Sequence, residues 1–133
     1  MKGRWQLIEE PQSAQWLEKR RVAAALRQLS ETCLRSDVEA ETLGVAADEL
    51  ERIEGDLSSK LGPTFFDALA SGRWEADQGH FADRNPFLGL CNPSSPPLYL
   101  RNEGELTLGK VVFDYRFEGA PGYVHGGVLS AVF

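Results

Sequence analysis

The hydrophobic pattern changes period along this chain, and that change constrains the fold more than any other feature. In the first half, Val22, Leu26, Leu29 and Cys33 recur at steps of four, three and four. Ala46, Leu50, Ile53, Leu57 and Leu61 follow at similar steps. Such steps place each set on one face of an α-helix. Toward the C-terminus the period drops to two: Val111, Phe113, Tyr115 and Phe117 share one face, with Lys110, Asp114 and Arg116 on the other. That alternation suits a strand whose sheet is covered on one side only. The fold class is therefore expected to be α+β, with N-terminal helices followed by an antiparallel hairpin.

Local signals set the boundaries. Residues 4–8 read either as a strand or as an irregular arm. Pro11 suits a helix start, because its missing N–H would have no partner there. A first helix is expected over residues 13–34, helped by Ala23, Ala24 and Ala25. Lys19, Arg20 and Arg21 point in different directions around that helix and read as solvated surface. Ser36-Asp37 and Gly44 mark a break, and a second helix is expected over 45–61, weakened by Gly55 and stopped by Gly62-Pro63. The two are expected to pack as a hairpin, burying their stripes on each other or on the sheet. Thr64 can cap a short third helix over 65–70, ended by Ser71-Gly72. Residues 74–97 are rich in turn formers yet hold Phe81, Phe87, Leu88 and Leu90, so this loop is expected to pack over the domain. A strand over 98–101, a turn at Asn102-Glu103-Gly104 and a long strand over 105–117 complete the pattern.

Composition excludes several classes. The net charge of −6 argues against general affinity for nucleic acid or an anionic membrane. The acidity is concentrated over residues 37–56, where Arg52 is the one basic residue; a solvated helix face accounts for it, and a docking surface for a basic partner is the sharper alternative. No apolar run resembles a signal peptide or reaches the ~20 residues of a membrane span, so the expected location is cytoplasmic. Cys33 and Cys91 are far apart and read as reduced, inert thiols. With His80 and His125 they show no metal-ligand spacing, and no metal is expected.

Residues 119–133 carry the chemistry. Pro121-Gly122 makes a turn, and His125-Gly126-Gly127 opens an apolar helix. Gly126 and Gly127 lack Cβ atoms, so another molecule can approach their backbone. The first N–H groups of a helix lack partners within it, and a ligand carbonyl gaining negative charge could be held there. Val128, Leu129, Ala131, Val132 and Phe133 are apolar nearly all round, which predicts a buried helix.

The run Gly122-Tyr123-Val124-His125-Gly126-Gly127-Val128-Leu129-Ser130-Ala131-Val132-Phe133 resembles the opening of the central helix in the thioesterase branch of the hotdog-fold superfamily. It is similar to acyl-CoA thioesterases of the phenylacetate-pathway type. Asn92-Pro93, Pro96-Pro97-Leu98 and Phe117-Glu118-Gly119 extend the similarity, so it runs from residue 85 to 133. It implies a helical N-terminal extension over 1–84. Residues 85–133 would be the N-terminal part of a hotdog thioesterase domain, contributing a strand hairpin and the start of the central helix.

The resemblance implies an activity: hydrolysis of an acyl-CoA or other acyl thioester to a carboxylic acid and a thiol, with no cofactor. It implies a homodimer or homotetramer at full length. The Gly126 amide would polarise the carbonyl, with His125 orienting the turn or the substrate. Gly127 would allow close packing, and Tyr123 and Val124 would contact substrate. Some branches carry an Asn six residues before the His; Gly119 stands there, which fits the branch with a long N-terminal extension. The family's catalytic carboxylate lies nine positions after the His, at the position following Phe133. The chain is thus expected to be a fragment, inactive and only partly folded alone. The alternative is a non-catalytic acyl-CoA-binding or protein-interaction module that uses the helical region for docking.

Overall fold

The structure is a computed structural model that describes residues 13–72, 83–96 and 98–133. Residues 4–8, Pro11, Trp74, His80, Phe81 and Pro97, on which sequence expectations also fall, lie outside the described residues. The chain is α+β: four helices and one two-stranded antiparallel hairpin among the described residues. In order these are α1 (Ala14–Arg35), α2 (Ala40–Ser58), α3 (Phe65–Ala70), β1 (Tyr99–Glu103), β2 (Leu106–Lys110), a 3-10 turn (Tyr115–Phe117) and α4 (Gly126–Val132). Two compact units result, one of Met1–Leu34 with Asp77–Phe133, the other of Arg35–Ala76. None of the described helices is long and apolar enough to cross a membrane.

In the first unit, Ser13 opens α1 by accepting the Trp16 N–H on its hydroxyl at 3.1 Å. The face that α1 buries is not the expected one. Trp16, Ala23 and Arg27 are buried, whereas Val22, Leu26 and Leu29 remain exposed. The cause is a polar loop, residues 83–96, whose carboxylate and carbonyls require donors that only the Trp16–Arg20–Arg27 side of the helix supplies. Arg20 is accordingly not solvated surface, and only Arg21 of the basic cluster fits that expectation, pairing with Glu18 at 2.6 Å between two exposed side chains.

The hairpin pairs Tyr99 with Lys110 and Glu103 with Leu106. Its two-residue loop begins at Gly104, where φ is 63°, the sign a tight hairpin turn requires and a glycine supplies without strain. The expected long strand over 105–117 stops at Lys110. A strand persists only while a neighbour pairs with it, and β1 begins at Tyr99, just after Pro96-Pro97, which lack ladder donors. Beyond it, Asp114 caps the 3-10 turn by accepting the Arg116 N–H at 3.0 Å. Phe113 and Phe117 still meet, edge to face at 5.7 Å between centroids. Leu98 is buried, and Gly109 leaves room for it: a Cβ there would stand 3.4 Å from Leu98 Cδ1.

In the second unit, α2 starts at Ala40, earlier than expected, and runs through Gly44 without a break. A Cβ at Gly44 would meet nothing within 4 Å, so the glycine marks no close contact. No residue of α2 is buried, and Leu50, Ile53 and Leu57 are exposed. The expected burial of the α1 and α2 stripes is therefore not found. α3 follows the sequence signal closely: Thr64 and Asp67 form a reciprocal capping box, and Gly72 has φ 71° just past the helix end.

Candidate functional site

The turn from Glu118 to Gly127 is built mainly by backbone hydrogen bonds. Gly119 N–H donates to Tyr123 O at 2.8 Å, Tyr123 N–H to Ala120 O at 2.9 Å, and His125 N–H to Phe117 O at 2.8 Å. Glu118 and Val124 form an antiparallel bridge. Gly122, at φ 80°, takes the left-handed conformation that closes the turn, and its N–H donates to Glu118 Oε1 at 2.7 Å. Gly119 has a separate reason to be glycine. A Cβ there would lie 2.8 Å from His125 Cα, so no larger residue fits without moving the backbone. The geometric role of Gly119 is this close approach.

His125 is the N-cap of α4. Its Nδ1 accepts the Gly127 N–H at 3.1 Å, which assigns the proton of the neutral ring to Nε2. A Cβ on Gly127 would come within 3.2 Å of that ring, so the close packing allowed by Gly127 is with His125. Gly126 differs. Its N–H has no acceptor among the described residues, it is exposed, and a Cβ there would meet nothing within 4 Å. The Gly126 N–H is thus an open backbone donor at the start of α4, and those of Ala120 and Val124 are open in the same turn. Beside it, Tyr123 is exposed and Val124 half-buried.

α4 is not buried as its composition predicts: Leu129 is 38% exposed and Phe133 88%. Burial needs a layer on each side, and the two-stranded hairpin does not wrap this helix.

The carboxylates nearest in sequence are committed elsewhere. Glu118 holds the turn through Gly122. Asp114 receives two guanidinium bonds from Arg116, 2.8 and 2.7 Å, so it is not the solvated group its place in the alternation implies. The hydrogen bonds from Arg116, outweighing burial, hold the Asp114 carboxyl below the usual range. Among the described residues, no cluster of three or more His, Cys, Asp or Glu side chains could hold a metal ion.

A second polar centre escaped the sequence reading. Asp83, with its side chain 1% exposed, accepts from Trp16 Nε1 at 2.6 Å, Arg20 Nε at 2.7 Å and Cys91 Sγ at 3.1 Å on Oδ2, and from Leu90 N–H at 2.8 Å on Oδ1. Burial works to raise its pKa, but the bonds from Arg20, Trp16, Cys91 and Leu90 together hold it below the ordinary value. The same contact works in reverse on the thiol. Burial first, then the hydrogen bond and charge of Asp83, push Cys91 up to about 12.

Around this centre the loop is fastened by its main chain. Arg27 Nη1 donates to Leu90 O at 3.2 Å and Asn92 O at 3.0 Å, and Arg116 Nη1 to Pro93 O at 3.0 Å. Ser95, fully buried, bonds to Gly89 O, and a Cβ on Gly89 would collide with Asp83 O. The one available signal was the spacing Trp16, Arg20, Ala23, Arg27, a helical face as regular as the apolar one. A saturated carboxylate beside a thiol of high pKa is a structural lock, with no open valence for a ligand.

No family model matches the chain, and no curated protein and no solved structure matches it.

Proposed function

We propose that residues 85–133 carry the carbonyl-binding part of an acyl-CoA thioesterase of hotdog type, which hydrolyses an acyl thioester to a carboxylic acid and a thiol. The observation that supports this most is the exposed, unpartnered N–H of Gly126, at the position the motif implies for carbonyl polarisation. In this reading the substrate carbonyl accepts from Gly126 N–H. That bond strengthens as the oxygen gains charge in the tetrahedral transition state, which is where a donor accelerates the reaction. α4 is short, so the amide itself, rather than a helix dipole, supplies the stabilisation. His125 holds Gly127 through Nδ1 and so sets the direction of the preceding amide; it is a positioning residue and not a general base. In this reading water activation falls to a carboxylate whose position neither Asp114 nor Glu118 matches.

A second reading, a non-catalytic acyl-CoA-binding module, is favoured for these 133 residues by one fact: Asp114 and Glu118 are both engaged structurally, so neither is poised to activate water. The two readings separate in one experiment. Thiol release from a panel of acyl-CoA thioesters is measured for this chain and for the chain extended through its own downstream reading frame, alongside acyl-CoA binding. Hydrolysis by the extended chain supports the thioesterase. Binding without hydrolysis in both supports the module, and neither binding nor hydrolysis refutes both.

A further inference from the structure

The second helix carries an exposed apolar seam. Leu43, Ala46, Leu50, Ile53 and Leu57 follow one another at steps of three, four, three and four, the a and d spacing of a coiled coil. The large members are exposed, Leu43 by 44%, Leu50 by 39%, Ile53 by 40% and Leu57 by 58%. In this register the flanking e and g positions include Glu49 and Asp56 on one side and Glu54 on the other. The one basic residue, Arg52, lies on the back of the helix. It donates to Glu49 at 2.7 Å and to Asp56 at 2.8 Å, and each carboxylate keeps lone pairs for further donors.

The flanks decide what can sit on this seam. In a parallel pair of α2 helices, Glu49 would face Glu54. In an antiparallel pair, acid would face acid on both sides. Like charges across e and g positions oppose such pairing, so a second copy is a poor occupant. Charge complementarity selects a helix with apolar a and d positions and basic flanks. We propose that α2 is a docking surface for a basic amphipathic helix of a partner protein. It would seat that helix on the Leu43–Leu57 seam and read its lysines or arginines with Glu49, Glu54 and Asp56. The proposal does not depend on the thioesterase reading.

The test uses the full chain and two synthetic peptides of about three heptads, both with Leu at a and d, one with Lys at e and g and the other with Glu. Fluorescence anisotropy at low salt is expected to show the Lys peptide binding at least about tenfold more tightly, an advantage that shrinks as salt is raised. A third peptide that keeps the lysines but replaces every Leu by Ser is expected to lose most of this binding. The triple variant Glu49→Lys/Glu54→Lys/Asp56→Lys is expected to reverse the preference toward the Glu peptide, with helix content unchanged by circular dichroism. Three results would overturn the proposal. They are equal binding of the Leu and Ser versions, an unreversed preference in the folded triple variant, and a dimer of the chain alone that Leu50→Asp dissolves.

Discussion

Replacing Gly126 with proline isolates the proposed carbonyl donor. Proline removes one backbone N–H and little else at this position. Gly126 is the first residue of α4, where a helix has no intrahelical use for the N–H and the fixed φ of proline is already suitable. His125, before it, has ψ 128°, outside the α region that a following proline disfavours. A Cβ meets nothing within 4 Å, and no acceptor among the described residues is lost. Folding stability should therefore change little, within about 1 kcal/mol and toward greater stability through the stiffer unfolded chain. The catalytic effect should be large: losing one preorganised donor to a developing oxyanion costs about 3–4 kcal/mol, or roughly 100- to 1000-fold in kcat. The assay is thiol release from acyl-CoA by the extended chain, with Gly126→Ala as the control that keeps the N–H. Alanine should retain most of the activity and proline should lose it. A folded Gly126→Pro protein with undiminished kcat would remove this amide from the mechanism.

The remaining predictions concern the scaffold. Asp83→Ala should destabilise the first unit by about 3–5 kcal/mol, measured by urea unfolding, because it removes the buried acceptor that joins Trp16, Arg20, Leu90 and Cys91. The Asp83 carboxyl sits below its unfolded value, so its contribution is present above about pH 4 and lost as pH falls through the folded value; Asp83→Asn should flatten that acid limb of the stability profile. A thiol reagent at about pH 8 should label exposed Cys33 quickly and Cys91 only on unfolding, as mass spectrometry would reveal, since a thiol pushed up to about 12 holds almost no thiolate. Gly55→Ala should stabilise α2 by about 0.5–1 kcal/mol in thermal unfolding, as its Cβ would point into open space. Gly119→Ala should cost about 1–3 kcal/mol and raise amide exchange at His125, because its Cβ would lie 2.8 Å from His125 Cα.

What the sequence disclosed was whatever is decided within a few residues. The Thr64 cap of α3 and a glycine at the hairpin turn were legible, although Asn102 and Glu103, expected in that turn, pair within β1 and leave Gly104 and Glu105 as the loop. The hidden parts depend on residues distant in the chain. The α1 stripe of Val22, Leu26 and Leu29 is a sound amphipathic pattern, yet the helix turns another face inward because Asp83, far along the chain, takes Trp16 and Arg20. The strand over 105–117 has the right alternation, but alternation cannot show where the pairing strand begins. At the candidate site, the His-Gly-Gly turn and its open amide followed from the motif. The cap from His125 Nδ1 and the need for glycine at 119 are matters of ångström-scale contact that no residue pattern encodes.

The way the 83–96 loop is fastened bears on how freely it can vary. Arg27 and Arg116 grip the carbonyls of Leu90, Asn92 and Pro93, and every amino acid offers a carbonyl. Such a grip is indifferent to the side chains it passes. Exposed positions such as Phe87 and Ser94 should therefore accept a broad range of replacements in a saturation-mutagenesis library. Asp83, Gly89 and Ser95 should accept almost none, because their own atoms or the lack of a Cβ make the path possible. Outside those three positions the exposed part of the loop should drift in sequence while keeping its course, held in part by two arginines that lie outside it.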